Sequence, residues 1–236
     1  MSDVLAINVD QPYASLLAHG IKGWETRPHP PAGWPGIPEG TRRMPGCRIT
    51  PDDDVLIVSS RKRVTSERVP EGWFYDDETG AIGGGGFGSP FGAWRSYPAP
   101  LGAVLGVGRV TDVVPIVDNR TEGAHICHQH GRLAYFGDPR GLSLAETLRQ
   151  LADISDQLPY GDWSPGRWAW RMEVRGLTEP VTEYPACPFG CVASGTIHEC
   201  SPESRALCVE PVRGRQGVWR PDPALVAAVR EVPDAN

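Results

Sequence analysis

The sequence predicts an α+β fold that is mainly β, a small mixed barrel with peripheral helices and long loop insertions. Three observations point there. Runs rich in β-branched residues stand far apart along the chain, at 4–9, 54–60, 102–116 and 166–181. Helical periodicity is confined to short stretches between and after them. The 28 glycines and 24 prolines exceed ordinary usage and mark long, turn-rich connections. Strands so separated, without regular alternation with helices, suit a barrel better than a βαβ sheet.

"VLAINV" (4–9) is rich in β-formers and reads as the first strand. Asp10 offers an N-cap, and Pro12 is tolerated in the first turn of a helix running to about His19. Tyr13, Leu16 and Leu17 give that helix one buried stripe, and Gly20 fits the left-handed position that stops it. "IKGWETR" then continues as extended chain into a Pro/Gly loop over 27–40. "DVLIVSS" (54–60) is a buried strand. An insertion over about 61–100 opens on Arg61, Lys62 and Arg63 and becomes acidic and glycine-rich. Its "GGGGFG" (83–88) nominally fits a nucleotide-binding fingerprint, but no strand is expected before it and no helix after it, so it reads as a flexible loop.

"GAVLGVGRVTDVVPI" (102–116) suits a barrel strand that bends at Gly106 or Gly108. A second insertion, about 118–160, holds the polar loop "HICHQH" (125–130) and a helix over 143–154, with Ser143 and Glu146 spaced as a capping box. "GRWAWRMEVRGLTEPV" (166–181) is the next strand. After a third, cysteine-bearing insertion over 184–211, "GRQGVW" (214–219) leads to a short helix near 223–231. No internal repeat is visible, and residues 1–236 read as a single domain.

A net charge of −6 argues against a protein that coats polyanions generally, because such binding draws on phosphate neutralisation. A local basic groove on an acidic body remains compatible with it. The start shows no basic flank leading into an apolar core of a signal peptide, and no apolar run approaches the roughly 18–20 residues a membrane span needs. A cytoplasmic protein without a membrane partner is expected. Its six cysteines then stay reduced. Four of them, Cys187, Cys191, Cys200 and Cys208, fall within 22 residues, with His198 among them. The spacing is near that of a zinc ribbon without its paired Cys-x2-Cys knuckles, and a structural zinc or free thiols both fit. His125, Cys127, His128 and His130 carry a weaker metal signal, since polar loops often hold histidines.

The most specific stretch is "GIKGWETR" (20–27). Only two of the 23 basic residues are lysines, Lys22 and Lys62, and one of them stands beside Glu25. A guanidinium serves well as a surface charge, so a retained lysine suggests chemistry that arginine cannot supply. Lys22 could hold a phosphate or polarise a carbonyl. Glu25 could accept from an exocyclic amine, pair with Lys22 or act as an acid/base, and Arg27 could contact phosphate or brace Glu25. The plain alternative is a solvated strand whose ion pair contributes about 0–1 kcal/mol.

Trp168 and Trp170 share one face of their strand, with Arg167, Ala169 and Arg171 on the other. The arginines therefore do not flank the tryptophans, and one or both rings are expected in the core, as is Trp219. Gln216 could read a base edge through its amide or be an ordinary loop residue.

"QPYASLLAHGIKGWETR" resembles the opening of ASCH domains in the PUA-like superfamily, whose Gly-x-Lys-x-x-Glu-x-Arg pattern is met by Gly20, Lys22, Glu25 and Arg27. "DVLIVSSRKR", "LGAVLGVGRVTDVV" and "GRWAWRMEV" with "GRQGVW" resemble the family in the expected order. The resemblance implies a PUA-like (ASCH) small β-barrel that binds RNA, another single-stranded nucleic acid or a modified nucleoside in a cleft carrying the motif. The candidate nucleic-acid-binding residues are then Lys22, Trp24, Glu25, Arg27, Arg61, Lys62, Arg63 and Gln216. Some family members are hydrolases, ribonucleases or N4-acetylcytidine amidohydrolases, for which Lys22 and Glu25 are the catalytic candidates. The amidohydrolase branch carries a nucleophilic threonine where this chain has Glu25, and the adjacent Thr26 points to the opposite side of an extended chain.

Overall fold

A curled, mainly antiparallel sheet forms a half-barrel in the computed structural model. The structure describes residues 4–70, 72–84, 95–118, 125–129, 132–136, 157–185, 209–212, 214–215 and 217–232. The path of the sheet runs from β13 (Val218–Trp219) through β1 (Val4–Val9), β3 (Asp54–Ser59), β7 (Val104–Val117) and β10 (Trp168–Val181) to β2 (Trp24–Arg27). A hairpin of β8 (His125–Gln129) and β9 (Arg132–Phe136) extends from the end of β7. β1 and β3 pair in parallel, with Val4 opposite Asp54, and the other pairings along the path are antiparallel.

Both faces of the central strands are covered, which is why β3 reads as an unbroken apolar run. Leu5, Ile7, Val55, Ile57 and Trp170 point into the hollow, where Leu17 of α1 (Tyr13–Ala18) meets them. Ala6, Leu56, Val58 and Leu177 point the other way, against Leu225 and Val229 of α2 (Pro223–Glu231). The α2 start follows from local chemistry: the Asp222 carboxylate accepts from the Ala224 N–H at 2.8 Å, and Pro223 occupies the first turn. Asp222→Ala is expected to remove about 1 kcal/mol. A thermal melt should drop by about 2–4 °C for a chain of this size.

Several expectations change. Asp10 does not cap α1; Pro12 holds that position without a side-chain bond, and the Asp10 carboxylate instead pairs with Lys62 and Arg68. Two cations offer that carboxylate more than one backbone N–H would. Gln11 takes part of the capping role, its Oε1 accepting from the Ser15 N–H at 3.2 Å. β7 shifts register at Leu105, next to Gly106, and at Thr111, each passed over between paired neighbours.

The 61–100 insertion contains a small sheet of β4 (Trp73–Asp76), β5 (Ala81–Gly84) and β6 (Arg95–Pro98). Its Ile82 packs with Leu16 and Ile21 beside α1. Gly83 and Gly84 belong to β5, a strand where a loop was expected, because β4 and β6 pair with them on either side; the rings of Phe74 and Trp73 occupy the space a side chain would need. The rest of that glycine run lies outside the described residues.

The first five residues of "HICHQH" form β8, a strand instead of a loop, since they find a partner in β9. β11 (Glu183–Pro185) pairs with β12 (Val209–Pro211) and closes the base of the third insertion. Cys187, Cys191, Cys200, Cys208, His198, His130 and the expected 143–154 helix lie outside the described residues. Among the described residues no helix is long and apolar enough to cross a membrane, and no group of three or more His, Cys, Asp or Glu is placed to hold a metal.

Candidate functional site

The site starts from the way α1 ends. Gly20 adopts φ 71°, and its N–H donates to the Leu17 carbonyl while the Ile21 N–H donates to Leu16. This is the Schellman pattern, which a left-handed glycine permits. The Lys22 N–H also donates to the Leu16 carbonyl, so the stop turns the chain back toward the sheet. Nothing lies within 4 Å of the space a Gly20 side chain would take, so Gly20→Ala tests the backbone alone. About 1–2 kcal/mol of stability should be lost, read by chemical denaturation.

Gln157 clamps the next residues from the far side of the chain. Its Oε1 accepts from the Gly23 N–H at 2.6 Å, and its Nε2 donates to the Ile21 carbonyl at 3.2 Å. β2 then pairs with β10, placing Glu25 opposite Trp170 and Thr26 opposite Ala169. Strand alternation does the sorting. Glu25 goes to the same side as Trp170. Trp24 and Thr26 go to the other side, where Trp24 packs with Val114, Ile116, Leu158, Trp163 and Ala169.

Lys22 and Glu25 are buried, at 3% and 6% exposure, which removes the plain reading of a solvated pair. The Lys22 ammonium donates to Glu25 Oε2 at 2.5 Å and lies 4.8 Å from the Tyr13 ring centroid. Arg27 Nε stands 3.0 Å from Glu25 Oε1, near enough for ion pairing but too far off-line for a hydrogen bond, while its Nη2 donates to the Asn8 carbonyl. Arg167 adds a further positive field and donates to the Thr26 carbonyl at 3.1 Å. Burial pushes the Lys22 ammonium below its ordinary value, and Glu25 only partly offsets this. Burial also opposes Glu25 ionisation, but Lys22, Arg27 and Arg167 together overcome it and hold the carboxyl below its ordinary range.

Lys22 also lines a groove of about 660 Å³, together with Leu17, Gly20, Gly23, Arg109 and Val174; Glu25 does not reach its wall. Three cations thus act on one carboxylate, and Lys22 alone of the four groups also lines the open hollow. Such a set can grip an anion or a carbonyl while keeping a fixed acceptor.

The other expected residues are distributed unevenly. Trp24, expected at the cleft, is 2% exposed and belongs to the core, because β2 alternation turns it away from Glu25. Trp170 is fully buried and Trp168 packs partly buried against the same core. Trp219 is buried as well. Arg61 donates to the Val212 carbonyl at 3.2 Å, and Lys62 pairs with Asp10 at 3.0 Å. Arg63 is exposed. Gln216 lies outside the described residues, though its neighbour Gly214 sits against the Asn8 amide.

Sequence reasoning missed Asn8, Tyr13, Gln157 and Arg167. Only Arg167 had a signal, its charge beside the tryptophan strand, and its placement on the opposite face led away from Glu25. Thr26 does point away as expected, its hydroxyl accepting from the Asp162 N–H at 3.1 Å. Compared with protein-family models and with curated proteins, the chain matches none.

Proposed function

We propose that this chain is a nucleic-acid-binding module of the ASCH type in the PUA-like superfamily. It takes an unpaired or modified base of RNA, or of another single strand, in the cleft around Lys22, Glu25 and Arg27. The observation that carries this reading is the concentration of Lys22, Arg27 and Arg167 around one buried carboxylate in a protein of net charge −6. An acidic body that gathers cations at one place, with Lys22 facing a hollow, is suited to a local anionic ligand. Lys22, on the groove wall, meets carbonyl or phosphate oxygens, and Glu25 holds its ammonium in place from behind.

Fluorescence anisotropy with labelled single-stranded RNA, single-stranded DNA and duplex, each of about ten nucleotides, tests the reading. Single strands should bind in preference to duplex, with affinity falling by about 0.7 log units per phosphate contact for each tenfold rise in salt. Lys22→Met keeps the shape of the buried stem and should weaken binding. Loss of no affinity in that variant, with its fold intact, sinks the site assignment; absence of binding by the parent protein sinks the function.

A hydrolase reading draws on one observation, the depressed ammonium of Lys22 beside Glu25, a setting suited to proton transfer. Against a hydroxyl-nucleophile route, Thr26 is held by Asp162 on the far side of β2. Incubation with RNA and with N4-acetylcytidine, with and without EDTA, distinguishes the two: turnover of either supports the hydrolase.

A further inference from the structure

The groove beside Lys22 does not end at the motif. Its walls at Asp54, Val107 and Arg175 are shared with a second hollow of about 330 Å³ between α2 and the outer face of the sheet. The second hollow has an apolar floor, Leu56, Val107, Leu177 and Val226, with Arg175 and Arg230 at its rim. Arg109 and Arg175 stand diagonally across β7 and β10, since Arg109 is opposite Glu173 and Arg175 opposite Val107. Diagonal neighbours lie about 7–8 Å apart, close to one step of an extended single strand.

Arg109, Arg175 and Arg230 are all exposed and mark one continuous course. Two carboxylates share it: Asp54, paired with Arg109 at 3.0 Å, and Glu173. Counting Lys22, positive groups outnumber negative ones along the groove. The basic cluster expected to serve phosphates is differently disposed, with Arg61 bound to Val212 and Lys62 to Asp10.

We propose that a single-stranded nucleic acid bound at the motif continues along this groove, with phosphates on Arg175 and Arg230 and a base in the apolar slot under α2. This extends the function proposed above and rests on it. Apolar floor and cationic rim together fit a nucleotide, which carries a flat ring at one end and an anion at the other.

The test compares the parent protein with the double variant Arg175→Ala/Arg230→Ala, using a labelled dinucleotide and an oligonucleotide of about ten nucleotides. Both side chains are exposed, so an unchanged melting curve is the expected control. Dinucleotide binding should be unaffected. The longer strand should lose roughly 10–30-fold in affinity near 0.1 M salt, and its salt slope should flatten by about 1.4. If the parent binds the longer strand and the variant binds it equally well with the same slope, the groove proposal is overturned while the motif reading stands. If the parent binds no oligonucleotide, both fall. Competition by polyglutamate as strong as by RNA also overturns it, by making the groove a site for acidic peptide.

Discussion

Glu25→Ala is expected to destabilise the protein by about 3–5 kcal/mol, because it strands a buried ammonium without its counter-charge. Lys22 is only 3% exposed, and Arg27 loses the same carboxylate. At this chain length the melting midpoint should fall by about 6–20 °C. The double variant Lys22→Met/Glu25→Leu should recover most of that loss, since an apolar pair of similar size often matches a buried ion pair. It should nonetheless fail to bind nucleic acid. Recovery of stability without recovery of binding identifies the pair as kept for chemistry; recovery of both would show that it contributes to neither.

The same carboxylate sets an acid limit. Its value in the folded state lies below the unfolded one, so the stabilisation is complete above the ordinary carboxylate range. It is lost as pH falls from that range through the lowered folded value. Thermal melts taken from neutral pH downward should show this fall, and Glu25→Gln should flatten that part of the profile.

Trp24→Ala is the second large effect, expected at about 3–5 kcal/mol from the cavity left beside Leu158 and Trp163. Chemical denaturation reads it, and Trp24→Phe should lose far less because a ring still fills the space. The distinguishing measurement is binding by the phenylalanine variant. A core residue predicts unchanged affinity, whereas a base-stacking residue predicts a loss, even with an aromatic replacement, from the smaller ring. The sequence reading placed Trp24 among the ligand contacts. Its burial at 2% predicts the first result.

The central strands were legible because their signals are local. β1 and β3 fall within a residue of the expected bounds, since consecutive β-branched residues favour extended chain whatever surrounds them. Gly20 was legible as a helix stop for a similar reason, and α2 matches the expected 223–231 closely. The ion pair of Lys22 and Glu25 was readable as a possibility from spacing and from the rarity of lysine.

What chain order alone determined about this protein is its mainly β character, the stop at Gly20 and the side of β2 on which Glu25 and Thr26 must fall. Only the tertiary structure decided that the charged pair is buried, that Trp24 belongs to the core and that Gln157 and Arg167 join the motif. It also decided that glycines 83 and 84 form a strand, because β4 and β6 pair with them on either side. The physical reason is one of range. Backbone preference and capping act within a few residues, whereas burial and counter-charge come from segments more than a hundred residues away, which meet only when the sheet curls.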